Sequence, residues 1–201
     1  MPSKYVVRDL KGNSYYHIYN SSIEGLGLFL DRDDYQTFLY YLYIYTADPT
    51  KVKIKHPELP KRLLIRNLFN DIFMVAYILM PDHFHILLKQ KNPDAMPRLM
   101  KQVINAYVTY FNKKYKKRGT IFRGRYKSIR VESEYLLTQM VRFVHLNTPD
   151  FKNYEWSSYV PNDVADGLKA RYGSPEEREK FHLDKASYIE NFPKIKDLTI
   201  D

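Results

Sequence analysis

Residues 73–89 read FMVAYILMPDHFHILLK, two apolar runs separated by Met80-Pro81-Asp82. Each run has the length and the β-branched or aromatic content of a strand, from Phe73 to Leu79 and from His83 to Lys89. Pro81 has no N–H to give a ladder, so a tight turn or an edge interruption belongs between them. Side chains alternate along a strand. Phe84, Ile86 and Leu88 therefore enter the core, while His83 and His85 project together from the opposite face. Neutral imidazole is a common metal ligand, and two of them leave room for oxygen donors. His-x-His by itself suits an ordinary structural or surface pair equally well.

Working outward, Ser14–Ser21 (SYYHIYNS) reads as another strand. His17, within it, could face the same site as the two histidines, though a packed or solvent-facing ring is the expectation. Asp31 caps a helix to about Thr46, with Tyr35, Phe38, Leu39 and Leu42 at helical spacing. Three prolines between Ala47 and Lys61 suggest an irregular connection, and Leu63–Leu68 a short strand. Asp94 opens a long helix through Met96, Leu99, Val103, Tyr107 and Phe111, stopped by Gly119. Arg125–Val131 reads as a strand. Ser133 then caps a helix striped by Leu137, Val141 and Val144, which Pro149 ends. The order predicts an α+β fold, helices packed on a mainly antiparallel sheet. One domain over residues 1–160 is expected, with a helical tail over 161–201, its helix near 175–188, packed on it or extending it.

Charge narrows the function. The 201 residues hold 32 Lys+Arg against 23 Asp+Glu, a formal charge of +9. Residues 113–130, KKYKKRGTIFRGRYKSIR, carry nine of those basic residues and no acid, and the 23 that remain match the 23 acidic ones. The surplus sits in one segment interleaved with Tyr115, Phe122 and Tyr126. Such a patch suits a phosphate backbone with unstacked bases. Lys113, Lys114, Lys116, Lys117 and Arg118 cluster at a helix C-terminus, where the dipole also favours cations. On a strand, Arg123, Arg125 and Lys127 would share one face, with Tyr126 and Arg130 beside them. The apolar face of a membrane anchor is missing, and the longest apolar run, Phe73–Met80, is too short to cross a bilayer. Apolar residues make up 44% of the chain, enough for a core, and cysteine is absent. The first residues, MPSKYVVRDLKG, lack the apolar stretch of a secretory signal, so a cytoplasmic location is expected.

On the helix from Ser133, positions 143 and 147 stack one turn apart. Asn147 would offer an amide oxygen to a hard cation, or it is a plain helix-end signal before Thr-Pro.

VAYILMPDHFHILLKQ, YFNKKYKKRGTIFRGRYKSIRVE, LLTQMVRFVHLNTP and YEWSSY together, in this order, resemble the single-tyrosine HUH transposases. The nearest branch is that of the REP-associated tyrosine transposases, and the resemblance runs from about Tyr15 to Tyr159. It implies a ferredoxin-like sheet and the cutting and rejoining of single-stranded DNA beside hairpins, as a monomer or a homodimer. A helix-borne tyrosine would form a 5′-phosphotyrosine and release a 3′-hydroxyl, with no nucleotide cofactor. It also implies a Mg²⁺ or Mn²⁺ ion held by His83, His85 and Asn147. One position departs: the nucleophile's place is taken by Phe143, which has no oxygen to attack with. The phenylalanine is either a deliberate replacement that would trap uncleaved DNA or a natural loss of cleavage. The complete ligand set favours the first. A non-cleaving, regulatory hairpin-binding protein is the alternative reading. Tyr135, Tyr126 and Tyr110 are the nearest other tyrosines, and Tyr135 lies about 12 Å along the helix from position 143, too far to substitute. Asn20-Ser21-Ser22 stands where the family is more basic, and Trp156 and Tyr159 are expected to pack the helix end rather than stack on bases.

Overall fold

A computed structural model describes residues 10–159. The expected tail over 161–201, with its helix near 175–188, lies outside the described residues. The elements are β1 (Ser14–Ser21), α1 (Arg32–Thr46), α2 (Pro49–Lys55), α3 (Lys61–Ile65), β2 (Ile72–Met80), β3 (His83–Gln90), α4 (Ala95–Tyr115), β4 (Lys127–Val131) and α5 (Glu134–His145). The four strands form one sheet in the order β2-β3-β1-β4, every neighbour antiparallel. With α1 and α4 as the crossovers, this is the ferredoxin-like βαββαβ arrangement with α5 added.

Alternation sorts the sheet into two faces. Tyr16 and Ile18 of β1 and Phe84, Ile86 and Leu88 of β3 are buried beneath α1 and α4, against Phe38, Leu39, Leu42, Leu99, Val103, Tyr107 and Phe111. The other face carries a smaller cluster in which Ala76, Ile78, Leu87 and Val131 meet Leu137, Val141 and Val144 of α5. The larger cluster supplies the main hydrophobic stabilisation. The smaller one fixes where α5 lies.

Four sequence expectations change. The connection after α1 is helical: the Asp48 carboxylate accepts from Thr50 N at 2.8 Å, and Pro49 occupies the first turn of α2. Leu63–Leu68 is no strand. Residues 61–65 form the short α3, after which Leu68 N donates to Tyr45 O at 2.7 Å. Tertiary contact with the end of α1 outweighs the β propensity of Leu-Leu-Ile. The long helix ends at Tyr115, with Lys116 left-handed at φ 52°, short of Gly119. Strand β4 starts only at Lys127, because Gly124 at φ 136° turns the chain before it. Arg123 and Arg125 therefore lie in a loop and share no strand face with Lys127.

The YEWSSY block closes the edge of β2. Leu79 N donates to Trp156 O and Ser158 N to Tyr77 O, both at 2.9 Å. Trp156 packs, but on the start of α1 and not on the end of α5: it stacks on Tyr35 with ring centroids 4.5 Å apart. Ser158 Oγ accepts from Tyr77 N at 2.9 Å and lies 2.8 Å from His145 Nε2, at the last residue of α5. The end of α5 is thus pinned to the sheet at a buried polar contact. No helix among the described residues is long and apolar enough to cross a membrane.

Candidate metal and nucleic-acid site

The register that pairs β1 with β3 places Ser21 opposite His83, Tyr19 opposite His85 and His17 opposite Leu87. His17, Tyr19, His83 and His85 consequently share the α5 face of the sheet, beyond the apolar cluster that seats the helix. His83 and His85 stand with ring centroids 5.2 Å apart and planes at 83°. His83 Nδ1–H donates to the Asp82 carboxylate at 2.7 Å, which aims Nε2 the other way. There it meets Asn147 Oδ1 at 3.1 Å.

Asn147 is not on the helix. α5 stops at His145 with Leu146 as its C-cap, so Asn147 lies in the turn just beyond. It reaches the imidazole all the same, because His145 and Ser158 hold the helix end against β2. Phe143 lies one turn earlier. Its ring is edge-on to His85 at 5.3 Å and to His17 at 5.7 Å between centroids. The structure therefore gathers His83, His85, Asn147 and Phe143 in one place.

His17 is fully buried and is not a bystander: its Nε2 lies 2.9 Å from His85 Nδ1, and the two rings stack at 5.0 Å. Tyr19 stacks on both, at 5.3 Å and 5.9 Å, with Lys127 Nζ over its outer side at 5.6 Å. Burial pushes the His17 imidazole down to about 3 and holds His85 well below its ordinary value, with His17 and His83 adding to the effect. Both rings are accordingly neutral at physiological pH. Asp82 was missed as a site residue in the sequence, and His17 is packed, as expected, yet also faces the site. The alternation of β1 put His17 on a definite face, but pairing of that face with His85 needed the register.

Two neutral imidazoles and an amide oxygen are a donor set that a small divalent cation accepts. With bonds near 2.1 Å at right angles, adjacent ligand atoms stand about 3 Å apart, and His83 Nε2 and Asn147 Oδ1 are 3.1 Å apart. Among the described residues no group of three or more His, Cys, Asp or Glu forms a metal cage, so further ligands would be water and phosphate oxygen.

The basic segment divides. Residues 121–124 dock on the end of β1 nearest His83: Arg123 N donates to Ser21 O at 2.9 Å, Phe122 bridges to Ser22, and Asn20 Nδ2 donates to Gly124 O at 3.2 Å. Arg123 and Arg125 are exposed there, as are Lys113, Lys116, Lys117 and Arg118 at the end of α4. Two cations are engaged elsewhere. Lys114 bonds Asp31 at 2.6 Å and the fully buried Asp34 at 2.9 Å, and Arg130 pairs with Glu132. The aromatics turn inward: Phe122 is buried, Tyr126 packs on the helix-side core, and the Tyr115 hydroxyl donates to Asp34 at 2.8 Å. These rings anchor the loop and offer no exposed stacking platform. Tyr110 also joins Asp34, and Tyr135 is exposed on the first turn of α5. None of the three alternative tyrosines meets the histidines. Among the described residues, Tyr19 is the one tyrosine whose ring stacks on them.

A His-hydrophobic-His strand lies at the centre of a ferredoxin-like sheet and is faced by a helix whose end reaches the first histidine, the arrangement implied by the sequence resemblance to the HUH transposases. Residues 62–146 match the model of the IS200-like transposases. A solved structure of a REP-associated tyrosine transposase bound to a REP hairpin has the same fold. It is 14% identical, has a TM-score of 0.53, and the alignment covers 81% of this chain and 86% of that one. No curated protein matches the chain.

Proposed function

We propose that this chain is a transposase-family protein that binds hairpin-bearing single-stranded DNA across the β1–β3 face and holds a Mg²⁺ or Mn²⁺ ion through His83, His85 and Asn147. Without a hydroxyl at position 143, the protein leaves the bound strand uncut. The observation that carries this reading is the placement of Phe143, edge-on to His85 and one helical turn before the segment that delivers Asn147. The cation would polarise the scissile phosphate and stabilise charge developing on its oxygens. The exposed cations of residues 113–125 would fix the strand beside it, with the loop of residues 121–124 seated against Ser21. The fold's likeness to a hairpin-bound transposase supports a hairpin as the partner.

Phe143→Tyr tests it. Restored to the ring para to its attachment, a hydroxyl would attack the phosphorus, form the phosphotyrosyl bond and release the 3′-hydroxyl strand. With Mn²⁺ and hairpin-bearing single strands, the variant is expected to give a covalent protein–DNA adduct on that residue by mass spectrometry. The parent chain gives none, at Tyr19 or elsewhere. A variant that binds the hairpin with Mn²⁺ yet forms no adduct would favour the second reading, a non-cleaving regulatory hairpin binder, which the phenylalanine itself supports.

A further inference from the structure

The environment of His85 differs from that of His83 in a way that the ligand set alone does not explain. His83 has a carboxylate, Asp82, behind it. His85 has another imidazole, that of His17, fully buried and 2.9 Å from Nδ1. A nitrogen pair this close holds one proton between its two members. We propose that His17 is a positioning residue: it accepts the Nδ1 proton of His85, fixing the tautomer whose bare Nε2 faces the cation. This inference rests on the metal reading above.

The proton count leaves two arrangements. In one, His17 donates from Nε2 to His85 Nδ1. His85 then carries its own proton on Nε2 and cannot ligate. In the other, His85 donates from Nδ1, its Nε2 is a bare donor atom for metal, and His17 carries its proton on Nδ1. Only the second is compatible with coordination by Nε2, the nitrogen left once His17 occupies Nδ1. His17 Nδ1 is buried and lacks a hydrogen-bond partner, so the ring has no second contact that would pull its Nε2 away from His85. Stacking at 5.0 Å with planes only 10° apart, and the edge of Phe143 against both rings, fix the orientation sterically. The device matches what outer-sphere partners do in metal sites generally: they set tautomer and direction, and their loss weakens binding about 10–100-fold.

The test compares the full chain with His17→Phe, which keeps a buried ring but cannot accept a proton, and His17→Gln, which restores an acceptor oxygen. Mn²⁺ affinity is measured from the free-ion electron paramagnetic resonance signal at constant pH, and cooperative thermal unfolding confirms that each variant folds. The His85 tautomer is read from long-range ¹H–¹⁵N spectra of the Mg²⁺-loaded parent. We expect His17→Phe to lose about 10–100-fold in Mn²⁺ affinity, His17→Gln to recover most of it, and the His85 proton to reside on Nδ1. Equal Mn²⁺ affinity in the parent and in His17→Phe would overturn the role of His17 while leaving the metal site standing. So would a His85 proton on Nε2 in the loaded protein. A parent chain that binds no Mn²⁺, and is indistinguishable from a His83→Ala control, would remove the metal reading and this role with it. If His17→Phe does not fold, the parent spectra and His17→Gln decide between the same outcomes.

Discussion

Acidification should destabilise this protein well before its carboxylates titrate. Burial depresses both His17, to about 3, and His85, well below the ordinary value of 6.5. Below the ordinary value the unfolded chain binds protons that the folded chain refuses, so stability is full above about pH 7 and falls as pH drops. At pH 5, about 1.5 units below the free value, keeping His17 unprotonated costs about 2 kcal/mol, and His85 adds to the loss in the same direction. That is a large share of the total stability of a domain, about 5–15 kcal/mol. Urea unfolding at pH 7.5, 6 and 5 with chelator present measures it directly. His17→Phe removes one of the two groups, so its loss between pH 7.5 and 5 should be about 2 kcal/mol smaller than that of the parent. Equal stability at pH 7.5 and 5 would refute the claim that these rings are buried and neutral. An undiminished slope in His17→Phe would refute the share assigned to His17. The same neutrality bears on function, since a neutral His85 needs to shed no charge before it ligates a cation.

Three further outcomes follow from the placement of the cations and the helix anchor. Replacing Arg123 and Arg125 together with alanine should weaken single-strand binding and reduce the slope of log K against log salt by about 1.4, near 0.7 per phosphate contact, measured by fluorescence anisotropy between low and moderate salt. Lys114→Met should leave that slope unchanged but cost about 3 kcal/mol by urea titration, because it strands the buried Asp34 carboxylate with only neutral partners. Ser158→Ala should cost about 1–3 kcal/mol by leaving Tyr77 N–H and His145 without their buried contact. It should also weaken Mn²⁺ binding by loosening the chain that delivers Asn147, and unchanged affinity would show that Asn147 is held without this pin.

Most of the fold was legible in alternation and caps. Ser14–Ser21 as a strand, Asp31 and Ser133 as N-caps, and the His83 arm with Phe84 turned inward all follow from local physics and all stand in the structure. The errors fall where tertiary contact or a single backbone angle overrides propensity. Leu63-Leu64-Ile65 looks like a strand, yet no strand edge is open to it, and the end of α1 captures the chain through Leu68 and Asn67. Arg123 to Tyr126 alternates like β4, but Gly124 takes a positive φ, so the loop docks on Ser21 and presents its arginines to solvent. The charge pattern located the basic segment and could not say which cations it spends on the fold: Lys114 neutralises Asp34, eighty positions earlier in the chain.

The candidate site was half legible for a related reason. His83 and His85 are neighbours on one strand, so two-residue periodicity alone brings them to one face. Asn147 reached its place by a route that helical spacing did not foresee, since α5 ends two residues before it. What carries Asn147 to His83 is the contact of His145 with Ser158, and Ser158 is held by the edge of β2. β2 in turn pairs with β3, so the helix end and His83 are referenced to the same two strands. His17 is tied to them through β1, on the other side of β3. Three separate chain segments thus take their positions from one hairpin, the one formed around Pro81. A change that shifted the β2–β3 register by one residue would turn His83 and His85 into the helix-side core and withdraw Ser158 from His145 at once. The geometry of this site is therefore a property of sheet register first and of its individual side chains second.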